Sequence, residues 1–137
     1  MAQGLAVLRF GEAGIEAEFD SAGIGDWHIG APPDRRAVNA AWKVLVDLSA
    51  LRARQIEAAD FDRFDYIIAM DDDNYAALQG LAGKARSAKI CRMVDFADLE
   101  DRQIADPYFG GHSGFDQVLT SLDIGIAGLI RHLRKPA

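Results

Sequence analysis

Residues 66–73 read Tyr66-Ile67-Ile68-Ala69-Met70-Asp71-Asp72-Asp73, five apolar residues stopped at once by three carboxylates. A short unbroken apolar run with such a break at its end predicts a strand buried on both faces, the condition of strands in a parallel sheet. The acidic residues behind it suit the first turn of a helix, whose unpaired N–H groups attract negative charge; that helix is predicted to run to about Leu81. Ala88 to Val94 predicts a second, weaker strand around Ile90. Helices alternating with buried strands predict an α/β domain with a parallel sheet. In that architecture ligands bind beyond the C-terminal ends of the strands, so those ends hold the candidate site.

Working outward, Ala2 to Phe10 predicts a helix with Leu5 and Leu8, and Val7 beside them, on its apolar face, closed by Gly11 and Gly14. Ala17-Glu18-Phe19-Asp20 predicts a short strand leading into a turn, and Gly25 to Pro33 a loop. Pro32-Pro33-Asp34 opens a helix that Ala37, Ala40, Ala41, Val44 and Leu45 continue at helical spacing. Glu57 to Phe64 is at most a short helix. From about Gly114 to Arg134, residues Phe115, Val118, Leu119, Leu122, Ile126, Leu129, Ile130 and Leu133 share one helix face. Arg131, His132, Arg134 and Lys135 lie at the end that the helix dipole favours for cations.

Composition narrows the function classes. The 137 residues carry 15 Lys+Arg against 21 Asp+Glu, a formal net charge of −6, and no basic stripe that would displace counterions from nucleic acid. One cysteine, Cys91, excludes a disulfide framework and a cysteine-based zinc site. No apolar run reaches the roughly 18 residues of a membrane span, and no secretory leader is recognised. With 50% apolar residues, one core over a single domain, 1–137, is expected, in a cytoplasmic protein.

Three strand ends draw attention. Asp20-Ser21-Ala22-Gly23 is followed by Trp27 in a glycine-flanked loop, where the indole either lines an aromatic-binding cleft or caps the core. Asp71 ends the clearest strand and reads first as a helix cap. Asp106-Pro107-Tyr108-Phe109-Gly110-Gly111 precedes the long helix. Proline keeps Asp106 extended, and a carboxyl group beside Tyr108 could protonate a leaving phenol, although Asp-Pro alone is a turn signal.

Together these fragments resemble the low-molecular-weight protein tyrosine phosphatases. The resemblance spans about Met1 to Leu133. Its carriers are Asp20-Ser21-Ala22-Gly23 with Asp26-Trp27-His28-Ile29-Gly30, Pro32-Pro33-Asp34-Arg35-Arg36-Ala37, Arg52-Ala53-Arg54-Gln55-Ile56, Phe64 to Asp71, and Asp106 to Gly111 with Gly114-Phe115-Asp116. The resemblance implies three layers, a four-stranded parallel sheet between helices, and hydrolysis of phosphotyrosyl proteins without metal or cofactor. It implies Asp106 as general acid, Trp27 and Tyr108 as walls of the phenyl slot, and Ser21 and Asp71 as supports of the phosphate loop.

The family's pattern also contains a buried first strand feeding a Cys-x-x-x-x-x-Arg loop, followed by Ser-Pro. Its backbone N–H groups and arginine hold the phosphate while its cysteine attacks phosphorus. Met1-Ala2-Gln3-Gly4 resembles the family sequence just after that Ser-Pro. Cys91 does not substitute, because six residues on stands Ala97 rather than arginine. The 137 residues are therefore expected to be catalytically inert. The alternatives are an active tyrosine phosphatase whose strand and loop are not among these residues, and a non-catalytic interaction or assembly module. Without that strand, exposed strand edges are expected to join a homodimer or larger species, with Leu5 and Leu8 docking onto a second copy.

Overall fold

The computed structural model describes residues 1–25, 29–83, 88–96 and 112–134. The decisive stretch forms β1, Tyr66–Ala69, and the chain crosses over through α4 to β2, Lys89–Arg92. The two strands pair in parallel with Tyr66 opposite Lys89 and Ala69 opposite Arg92. The preceding helices are α1 (Ala2–Glu12), α2 (Arg35–Trp42) and α3 (Asp60–Arg63); α4 is Asp72–Ala82 and α5 is His112–Arg134. A 3-10 turn, Met93–Phe96, follows β2 directly.

Side chains alternate across a strand, and β1 uses the alternation to serve two cores. Ile68 and Met70 pack into the larger one, built by α1, α2, α5 and the segment after α2, with Leu5, Leu48, Phe115, Leu122 and Ile126 among its buried residues. Ile67 and Ala69 face the smaller, with Phe61, Leu78 and Ile90. Helices therefore cover both faces of a parallel sheet, the α/β class the sequence predicts. The apolar face of α5 is buried from Phe115 to Leu129 as its spacing requires, while Leu133 lies at the exposed end.

Three expectations are corrected. Ala17–Asp20 forms no strand: the ladder-like pairing nearest to it comes later, an isolated parallel bridge between Gly23 and Gln55. It is held by side chains instead, with Phe19 edge-on to Phe10 at 4.9 Å and the Phe19 carbonyl accepting from Gln3. A segment becomes a strand only where a neighbour takes its N–H and C=O groups, and among the described residues β1 pairs with β2 alone. Second, Leu5, expected to dock onto a second copy, is 1% exposed in the chain's own core, with Leu8 partly buried against it; Phe10 rather than Val7 completes the buried face. Third, α2 ends before Val44 and Leu45, which stand in solvent.

Candidate functional site

Asp71 lies just past the C-terminal end of β1, in extended backbone, and caps α4 by accepting the Asn74 N–H at 2.6 Å. The cap predicted from sequence is thus formed. Beside it, Arg92 at the end of β2 donates to Asp72 at 2.8 Å, pairs with Asp95 and stacks over the Tyr75 ring at 5.4 Å. This fork ties the two strand ends to the start of α4 and places a guanidinium against one of the three clustered carboxylates.

Ser21 lies just before the Gly23–Gln55 bridge. Its hydroxyl donates to Oε1 of Gln3, in the first turn of α1, at 2.6 Å, and its N–H donates to Asp20 at 2.8 Å. Ser21 is therefore fastened to the N-terminal end of α1, while Asp71 is fastened to that of α4. Trp27, Asp106 and Tyr108, the expected slot walls and proton donor, lie outside the described residues.

An ion pair that sequence reading did not single out anchors this region. Asp60 is 4% exposed, and Arg54 grips it with two hydrogen bonds of 2.9 and 3.0 Å. The Glu57 N–H donates to the same carboxylate, which satisfies the buried charge further. Arg54 also reaches Asp20 at 3.1 Å, and its carbonyl accepts the Gly23 N–H at 2.7 Å. The chain of contacts Asp60–Arg54–Asp20–Ser21–Gln3 links α3 to α1 through the candidate site. Hydrogen bonding to Arg54 holds the Asp60 carboxyl below the usual carboxylate range, and the same bond raises Arg54. The available signal was weak: an arginine six residues before an aspartate at a helix start.

Cys91 is half-buried in β2. Burial, with Asp95 second, pushes its thiol up, the opposite of what a nucleophilic cysteine needs. No group of three metal-ligating side chains occurs among the described residues, and among them no helix is long and apolar enough to cross a membrane.

Comparison with known proteins places these features. The family model described as "Low molecular weight phosphotyrosine protein phosphatase" matches residues 1–137. The low molecular weight protein-tyrosine-phosphatase YfkJ of Bacillus subtilis is 36% identical over 132 residues, 96% of this chain and 82% of that protein. The crystal structure of Primo-1 superposes with a TM-score of 0.92 at 33% identity, covering 98% of this chain and 89% of that one. DARP, a drosophila arginine phosphatase, superposes with a TM-score of 0.93 at 26% identity, covering 99% and 90%.

Proposed function

We propose the function that follows from one premise: the chain belongs to the low molecular weight phosphotyrosine protein phosphatase family. In this reading the 137 residues act as one domain that keeps the family's substrate-facing parts and does not turn over phosphate esters unaided. The observation that carries it is that Cys91, the only cysteine, is half-buried in a strand with its thiol pushed up. A covalent route needs a thiolate, a cradle for the phosphoryl oxygens and a proton donor. Asp106 is the donor, Trp27 and Tyr108 line the slot for the phenyl ring, and Ser21 and Asp71 brace the phosphate loop of a complete site. The bonds of Ser21 to Gln3 and of Asp71 to Asn74 support the bracing role, because they fix both side chains at element ends.

The substrate class is a phosphotyrosyl protein. The arginine phosphatase among the structural relatives makes phosphoarginine the second class to assay. The setting is cytoplasmic, in keeping with a single unpaired cysteine. Self-association through the strand edge belongs to the same reading, since β1 has one strand neighbour among the described residues.

The test is hydrolysis of para-nitrophenyl phosphate, a phosphotyrosyl peptide and a phosphoarginine peptide by the 137-residue chain. No release above buffer is expected. Vanadate-sensitive turnover that survives Cys91→Ser would overturn the reading.

A further inference from the structure

We propose that the turn at residues 42–45, with the groove beside it, is a self-association surface occupied by the same surface of a second copy. The turn is a helix ending of recognisable geometry. The Val46 N–H reaches back to the Ala41 carbonyl and the Leu45 N–H to the Trp42 carbonyl, both at 3.0 Å, with Leu45 left-handed at φ +65°. The same pattern closes α1, where Ile15 reaches Phe10, Gly14 reaches Gly11 and the left-handed residue is Gly14. Glycine is the usual occupant because it has no Cβ to clash. At α2 a leucine holds that position, and its side chain is 82% exposed.

A residue that is backbone-strained and apolar, yet contributes almost nothing to its own core, is a reason to look for a partner. It does not stand alone: Trp42 is 62% exposed and Val44 is exposed beside it. Lys43 and Val44 of this turn also line a groove of about 250 Å³ between α1, α2 and α5. The groove includes the apolar residues Leu5, Ala40 and Leu119, and its charged residues pair as Arg9 with Asp123 at 2.8 Å and Lys43 with Asp116 at 3.4 Å.

Charge selects the occupant. Two cations and two carboxylates balance there, on a chain that is otherwise acidic at −6. A basic segment meets Arg9 and Lys43; an acidic one meets Asp116 and Asp123. A second copy brings equal numbers of each and meets no net repulsion. Its shape fits for the same reason: projecting side chains and a recess lie side by side on one patch, as a two-fold interface requires of a surface that must complement itself.

The surface is separate from the strand edge invoked above and from the catalytic reading, and its test reads mass rather than activity. Sedimentation equilibrium through the micromolar range is expected to show a monomer–dimer equilibrium. Leu45→Gly and Trp42→Ser should each weaken it by about tenfold, the size of a truncated interface anchor. Leu45→Gly should at the same time raise the thermal midpoint of the dilute monomer, so its loss of dimer cannot be a loss of fold. A chain that stays monomeric, or a dimer insensitive to both substitutions, overturns the proposal; the second result would move the contact to the edge of β1 that has no strand neighbour among the described residues. A monomer that binds anionic vesicles through Trp42 overturns it too, and gives the face to lipid.

Discussion

At the scale of single residues, Leu45 and Asp60 make opposite demands on the chain. A non-glycine residue in the left-handed region carries about 1–2 kcal/mol of strain, part of which glycine returns as lost entropy. Leu45→Gly is therefore expected to stabilise the monomer by about 0.5–1 kcal/mol in urea unfolding, since the side chain it removes is in solvent. Asp60 is the reverse case. Removing one partner of a buried pair strands the other, so Asp60→Asn is expected to cost about 3 kcal/mol, at the low end because Arg54 reaches solvent. The pH dependence follows from the sign of the shift. Asp60 in the folded chain lies below its unfolded value, so its contribution is complete above about pH 4 and fades as pH falls through the lower folded value. The stability gap between wild type and Asp60→Asn should accordingly shrink below about pH 4; a gap that widens on acidification would contradict the pairing. Neither residue was legible in the sequence. Val44 and Leu45 continue the helical spacing of α2, and only the chain's return toward Val46 shows that the helix has stopped. Gly14 announced the same ending at α1 because a glycine there is itself the signal.

Between elements, glycines decide how closely helices approach. A Cβ on Gly128 of α5 would overlap the backbone carbonyl of Phe96, and one on Gly125 would meet the Met93 side chain at 2.7 Å. Together they let the turn at Met93–Phe96 lie against α5. Gly80 of α4 has nothing within 4 Å. Glycine to alanine in a helix gains about 1 kcal/mol from propensity, while overpacking against backbone costs about 1–3 kcal/mol. Gly80→Ala should therefore stabilise and Gly128→Ala destabilise, measured by thermal unfolding; stabilisation by Gly128→Ala as well would show that α5 and the turn are not in contact. The strands were legible as short apolar runs, α5 by apolar residues at helix spacing, and α4 by the carboxylates that suit its first turn. The 3-10 turn was not, since Met93 and Val94 extend the apolar pattern of β2 and nothing local marks the change. The strand expected at Ala17–Asp20 had the right local pattern, but strand formation depends on a neighbour that local pattern does not contain.

Over the whole molecule, one buried strand was legible in Tyr66 to Asp73, its parallel partner in Ala88 to Val94, and the family in five fragments in order, whereas the single expected core is divided by the sheet into two. Of the site, the sequence reading found the cap at Asp71. It missed that Gln3 holds Ser21 and that Arg54 ties Asp20 to Asp60, because polar partners distant along the chain leave no periodic trace. Loss of the nucleophile from a cooperating catalytic set costs on the order of a millionfold in turnover, and the phosphate cradle is the other large contribution. The central proposal is that these 137 residues lack that loop's chemistry. Its most direct test compares para-nitrophenyl phosphate hydrolysis by this chain and by one with a strand and Cys-x-x-x-x-x-Arg-Ser-Pro joined ahead of Met1. The account predicts no turnover by the first, turnover by the second, and slowing of the second by Asp106→Ala. Hydrolysis by the first chain, or none by a folded second one, would contradict it.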